Sequence, residues 1–149
     1  MTDIALRWDP RNGCGDWMLV EGDLAAGNDL AAAVLVSLFT DRRAAEDFVP
    51  TDRTTDLRGW WGDTYSGDQI GSRLWQYERA KKSDGAALLL SVQQAARDAL
   101  DWLITDGVAR TVDVQAGWLN PTTIALAIQI SQPDGSRAGF QFSWAWDGV

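Results

Sequence analysis

The sequence contains no histidine and a single cysteine, Cys14. The first absence removes the commonest general base, the Ser-His-Asp arrangement and most transition-metal sites. The second excludes an intrachain disulfide and a thiolate zinc cluster and agrees with a reducing compartment. Cys14 lies between Gly13 and Gly15 in an expected exposed turn, and without an imidazole to take its proton it is a poor nucleophile. No Gly-x-Ser-x-Gly, Gly-x-x-x-x-Gly-Lys-Ser/Thr or Gly-x-Gly-x-x-Gly pattern occurs, so acyl-transfer and nucleotide chemistry lack their usual signatures. No apolar run approaches the roughly 20 residues of a bilayer span. Met1-Thr2-Asp3-Ile4 has neither the basic nor the apolar region of an export signal, so the chain is expected to begin in a cytoplasm.

Positive charge is scarce as well. Thirteen Lys and Arg face 21 Asp and Glu, a formal charge of -8, and the pI is near 4.3. Such a field repels phosphate backbones and anionic headgroups, which argues against nucleic acid and membrane surfaces as partners. The acids are 18 Asp and only Glu21, Glu46 and Glu78. Two of them can be imagined as the acid and base of a glycosidase, but such a pair is defined by its separation in space, and solvated surface acids are the simpler account. Asp9, Asp16 and Asp23 recur at intervals of seven yet fit no EF-hand spacing, and surface caps explain them better than calcium. The basic cluster Arg79, Lys81 and Lys82 reads as charge suited to a helix C-terminus more than as a phosphate contact. No cofactor, metal or small-molecule substrate is expected.

What the chain has in excess is tryptophan, nine in 149 residues, at positions 8, 17, 60, 61, 75, 102, 118, 144 and 146. Indoles are enriched both in cores and at binding hot spots. A chain of this length, read as one domain over 1–149, buries roughly 70% of its unfolded surface, and nine indoles exceed what one such core absorbs.

The periodicities predict an α+β domain: a small antiparallel or mixed sheet, comprising an N-terminal hairpin and a C-terminal meander, packed on two or three helices with a long central loop. Ile4, Leu6 and Trp8 face one way and Asp3, Ala5 and Arg7 the other, as in a half-buried strand, Asp9 to Gly13 forms a turn, and Trp17 to Val20 returns. Leu30 to Arg42 carries a helical stripe capped by Asn28 or Asp29 and ends on Arg42 and Arg43. Asp41 to about Gln69 has neither period. A connection that long is usually functional or held by a partner. Ile70 to Lys82 reads as a short helix. Gly85 to Asp106 reads as the longest, capped by Ser83 or Asp84 and closed by Gly107, with Trp102 in the core. Strands follow at Thr111 to Ala116, at Ile124 to Ile130 and at Phe140 to Trp146, where Phe140, Phe142, Trp144 and Trp146 share a face, and Pro133-Asp134-Gly135-Ser136 turns between the last two.

Within the loop, Arg58-Gly59-Trp60-Trp61-Gly62-Asp63 places two adjacent indoles between glycines, and both cannot easily enter one core from an extended segment. One is expected in the core and one as a contact, with Arg58 and Asp63 bracing the loop.

These stretches, taken in order, resemble the Mu-type baseplate protein family of contractile-tailed phages, related to the wedge component called the sheath initiator. The matching segments are Asp3-Ile4-Ala5-Leu6, Gly22-Asp23-Leu24, Ser37 to Ala44, Arg58 to Asp63, Ser72-Arg73-Leu74-Trp75, Arg79-Ala80-Lys81, Ala99 to Leu103 and Asp106 to Ala109. Gln76 stands where the pattern leads to an apolar residue, and the C-terminal meander matches by pattern alone. The resemblance implies a small α+β domain, six copies around the tail tube, bridging baseplate wedge proteins and the first ring of sheath. It implies a place in the virion tail baseplate after assembly in the host cytoplasm, and assembly in place of hydrolysis. On this reading Trp60 and Trp61 or Arg73 contact a wedge partner, Arg58, Asp63 and Trp75 belong to the protein interface as well, and Phe140, Phe142, Trp144 and Trp146 form or flank an edge for sheath. The alternatives are a peptidoglycan glycosidase acting through Asp and Glu, and a carbohydrate-binding module whose exposed tryptophans stack on sugar rings.

Overall fold

Apolar and polar residues alternate through the C-terminal third, and the computed structural model, which describes residues 3–50, 54–78 and 85–145, turns that alternation into a three-stranded antiparallel meander. Its strands are β5 (Thr111–Asn120), β6 (Thr123–Ser131) and β7 (Arg137–Ala145), with β6 in the middle. The register sets Val114 against Ile128 and Ile128 against Phe140, and Ala116 against Leu126 and Leu126 against Phe142. Directly opposed residues share a face, so Val112, Val114, Ala116 and Trp118, the Ile124–Leu126–Ile128–Ile130 row, and Ala138, Phe140 and Phe142 form one apolar surface. The four β6 side chains are at most 1% exposed. The opposite face carries Asp113, Gln115, Gln129 and Gln141, all exposed. The expected turn at Pro133 to Ser136 is present: Asp134 accepts from the Ser136 amide at 2.8 Å, and Ser136 holds the Asp134 carboxyl below the usual carboxylate range.

Helix α3 (Gly85–Leu100) covers that apolar surface with Leu88, Val92, Ala95, Ala96, Ala99 and Leu100. The expected helix to Asp106 continues through Asp101, whose φ of -62° and ψ of -30° remain helical, into the short α4 (Trp102–Thr105). Gly107, with φ of +74°, then reverses the chain, and Ala109 N–H returns to the Leu103 carbonyl at 2.8 Å. The proposed caps Ser83 and Asp84 lie outside the described residues.

Helix α1 (Asp29–Phe39) starts where Asn28 accepts from the Leu30 amide at 2.9 Å. It packs Leu30, Val34 and Leu38 into the same core. It stops short of Arg42: Thr40 is extended, and Arg42 and Arg43 enter the loop and not the helix end. Over residues 70–78 the helix read at Ile70 to Lys82 is also corrected, to a 3-10 turn at Leu74–Tyr77, because Ser72 is bridged in parallel to Asp41 and keeps the preceding residues out of a helix; residues 79–82 lie outside the described residues.

At the N-terminus β1 (Leu6–Asp9) pairs with β2 (Cys14–Trp17), and β3 (Leu19–Val20) with β4 (Asp23–Leu24). The return strand therefore begins at Cys14, earlier than the sequence pattern indicates, and Cys14 is exposed in a strand rather than in a turn. Trp8 fastens this ribbon to the core. Its ring stacks on Phe39 at 3.6 Å and 11°, and its indole N–H donates to the Ser143 carbonyl of β7 at 2.9 Å.

Candidate interaction surface

The segment between α1 and α3 has no regular period, so its backbone polar groups must find partners individually. At its base Ser72 N–H donates to the Thr40 carbonyl at 2.9 Å and Arg42 N–H to the Ser72 carbonyl at 2.9 Å. The buried Ser72 hydroxyl donates to the Leu38 carbonyl and accepts from Leu74 N–H at 3.2 Å. Gly71 makes this closure possible. Its φ is +93°, and a Cβ there would stand 2.2 Å from the Thr40 carbonyl oxygen.

Trp75 lies over that base, 7% exposed, with its N–H on the Arg42 carbonyl at 2.8 Å and Phe48 against it edge-on at 5.5 Å. The Arg58 guanidinium sits 4.6 Å above its ring. Arg58 also donates to Asp41 at 2.8 Å and approaches Glu78 at 3.9 Å. These contacts hold Arg58 at φ of +53°, a conformation that costs about 1–2 kcal/mol for a residue with a Cβ. Asp63 is not the partner of Arg58. It opens the short helix α2 (Asp63–Ser66) and accepts from the Ile70 amide at 3.1 Å.

Beyond Arg58 the chain turns outward. Trp60 folds over Gly62 so closely that a Cβ on Gly62 would stand 2.2 Å from the ring. Trp61 lies 5.3 Å from Trp60, and Tyr65 lies 6.5 Å from Trp61. The three are 41%, 75% and 86% exposed in the order Trp60, Trp61, Tyr65. A cleft of about 360 Å³ separates this cluster from the ribbon and is lined by Trp8, Phe39, Asp41, Arg58, Trp60 and Trp75 among others. Glu78 also lines it, and both carboxylates, Asp41 and Glu78, lean on Arg58.

The structure thus brings Arg58, Trp60, Trp61 and Asp63 into one cluster, with Arg73 exposed nearby in sequence at the foot of the 3-10 turn. Three expectations are corrected. Trp75 is a buried support, because Arg42, Phe48 and Arg58 enclose it. Phe140 and Phe142 are half-buried against the core, Phe142 meeting Phe39 edge-on at 5.5 Å, so each has only part of its ring left for a partner. Trp102, expected in the core, is 40% exposed, with its N–H on the Ser37 hydroxyl at 3.0 Å. Trp144 stands opposite Ile124 in the β-ladder, and Trp146 lies outside the described residues.

Sequence reasoning missed Tyr65 and the exposed apolar residues of the N-terminal ribbon, Trp17, Met18, Leu19, Val20 and Leu24. The signal was four consecutive apolar residues, Trp17 to Val20, which make both faces of a strand apolar where a half-buried strand needs one. Among the described residues no helix is long and apolar enough to cross a membrane.

Comparison with known proteins places this surface in context. The sequence model of the family described as "Phage protein GP46" matches residues 30–137, from α1 to the start of β7. The chain is 39% identical over 149 residues, the full length of both chains, to "Baseplate protein gp46" of Escherichia phage Mu. It is also 39% identical over 147 residues, 98% of each chain, to "Mu-like prophage FluMu protein gp46" of Haemophilus influenzae.

Proposed function

The chain belongs to the phage protein GP46 family, and on that footing we propose that it is a structural component of a contractile tail baseplate, joining wedge proteins to the tail sheath without catalysis of its own. It acts as one domain, in six copies around the tail tube, in the virion baseplate after assembly in the host cytoplasm.

The observation that carries this reading is a loop fastened from inside, through Ser72, Trp75 and Arg58, while its aromatic residues face outward. Trp61 and Tyr65 contribute nothing to the core at their exposures of 75% and 86%. Large aromatic side chains of this kind dominate binding when a partner covers them. The Ser72 closure, the Trp75 support and the Arg58 pairs fix the loop beforehand, so little ordering entropy is lost on contact. Trp60, Trp61 and Arg73 meet the wedge.

A second feature supports the sheath side. The Gln132 amide donates to the Ser136 carbonyl at the end of the β6–β7 ladder. In an antiparallel ladder the bonding residues alternate, so Ala138, Phe140 and Phe142 bond to β6, and the amides of Gly139 and Gln141 point away from it, to an edge that no strand pairs among the described residues. The Ser143 carbonyl points the same way and is the one that Trp8 takes. Beside this edge a groove of about 290 Å³ is lined by Leu6, Leu35, Phe140 and Phe142 among others. An extended sheath segment added to β7 gains main-chain hydrogen bonds from the edge and seats alternate side chains in the groove.

Truncating β7 would strip Phe140 and Phe142 from the core, so the edge is tested by Gln141→Pro, which removes one outward amide and leaves the bonds to β6 in place. The variant is expected to fold and to enter baseplates, but not to start sheath. Sheath growing at wild-type yield on baseplates that contain the variant contradicts the sheath assignment.

A further inference from the structure

The aromatic loop and the β7 edge leave the exposed apolar residues of the N-terminal ribbon unused. In the N-terminal ribbon Leu6 is paired with Trp17, Trp8 with Gly15, and Leu19 with Leu24, and paired residues share a face. The inner half of that face is covered. Trp8 lies on Phe39, Leu6 lines the groove with Leu35, and a Cβ on Gly15 would stand 3.3 Å from Leu35.

The outer half has nothing beneath it among the described residues. Trp17 is 64% exposed, Leu19 66% and Leu24 48%, and on the reverse side Met18 and Val20 are open too. The tip is nonetheless well defined. Glu21 and Gly22 both have positive φ, 54° and 94°, as a tight two-residue hairpin turn requires. The ribbon is also bonded across, Ala5 N–H to the Ala25 carbonyl at 2.8 Å and Met18 N–H to the Ala5 carbonyl at 2.9 Å.

Charge selects among possible occupants. Residues 3 to 24 carry five acids, Asp3, Asp9, Asp16, Glu21 and Asp23, against Arg7 and Arg11, a local net of -3. Asp16, Glu21 and Asp23 stand among the exposed apolar residues and are themselves exposed. A second copy of the chain docking ribbon to ribbon would set acid against acid, which is unfavourable.

We propose that this overhang is a docking face for a different protein, one that presents an apolar seat for Trp17, Leu19 and Leu24 rimmed by lysine or arginine. The partner is sought in the tail, and in that respect the inference rests on the baseplate reading. The ribbon contact is separate from the aromatic loop and from the β7 edge, so loss of one does not predict loss of the others.

The sole cysteine, Cys14, is exposed in β2 but stands opposite Asp9, on the other face of the ribbon from Trp17. Ala26 is exposed, is bridged to Ile4 and falls on the same face as Leu24. A benzophenone maleimide is therefore coupled to the full chain carrying Cys14→Ser and Ala26→Cys, the chain is assembled into tails, and irradiated products are identified by mass spectrometry. The expected product joins position 26 to a peptide of a different protein that contains lysine or arginine. Trp17→Ser/Leu19→Ser/Leu24→Ser should lower the yield about tenfold or more. Asp16→Lys/Glu21→Lys/Asp23→Lys should do the same with every apolar residue kept, so a folding defect in the first variant cannot imitate the result. An adduct with a second copy of the chain, no adduct in tails that contain it, or a yield unchanged in the charge-reversed variant overturns the inference and leaves the baseplate reading standing. Absence of the chain from purified tails overturns both.

Discussion

The meander and the loop between α1 and α3 are built from similar residues, aromatics and branched aliphatics set among small polar ones, and they place them in opposite directions. In the meander the period of two sends Ile124, Leu126, Ile128 and Ile130 under α3, and Phe140 and Phe142 join them at the margin. In the loop Trp75 alone of the neighbouring indoles turns inward, and Trp60, Trp61 and Tyr65 turn out. Burial in the meander is a property of the strands. In the loop it is decided indole by indole, by whether a carbonyl and a second ring are in reach. The exposed indoles are thus not a core that failed to close, since the loop beneath them is closed by its own hydrogen bonds. They are surface that the fold itself does not need.

That contrast can be broken from either side. Ile128→Ala, in the middle of the sheet, should have the largest effect, about 2–5 kcal/mol and a fall of roughly 10 °C in melting temperature by calorimetry. A fall of less than a few degrees would mean that the meander is not where the stability lies. Ser72→Ala should cost less, about 1–3 kcal/mol, because it leaves the Leu38 carbonyl and the Leu74 amide without their buried partner. Its specific mark is on the loop: hydrogen exchange should rise at the Ser72 and Arg42 amides while the β6 amides stay protected. If the exchange rises uniformly, the loop is not an independently fastened unit.

The smallest effect is at the ribbon turn. Asp9 accepts from the Asn12 side chain and from the Arg11 amide, and these bonds hold its carboxyl below the usual carboxylate range. A carboxyl whose folded pKa is depressed contributes stability above its unfolded pKa, and that contribution fades as pH falls through the folded value. Asn12→Ala should therefore move the Asp9 titration upward toward the ordinary value, read by NMR, and weaken the acid-side dependence. An unmoved titration would show that Asn12 is not the principal cause.

The same contrast marks what was legible in the sequence. The meander, its Pro133 to Ser136 turn and the Asn28 cap were readable because each is set by residues within a few positions of one another. The end of α1 was not, because its apolar stripe runs on while the Thr40 carbonyl is claimed by Ser72, 32 positions away. The partners of Arg58 are hidden for the same reason. Asp63 is close in sequence, but Asp41 and Glu78 are close in space. Trp75 and Trp61 cannot be told apart by their neighbours in the chain, since what buries Trp75 is Arg42 and Phe48. Trp17 to Val20 reads as a return strand, and its four consecutive apolar residues are the one local sign that α1 and its neighbours cover only the inner half of the ribbon.

The central claim is that Trp61 is exposed in the free chain because another protein covers it in the particle. Hydroxyl-radical footprinting of the chain, free and within purified baseplates, tests this directly, with Trp75, buried by the chain's own residues, as the internal reference. The account predicts that Trp61 oxidises readily in the free chain and at least several-fold more slowly in the baseplate, while Trp75 is slow in both. Equal oxidation of Trp61 in the two states would contradict it.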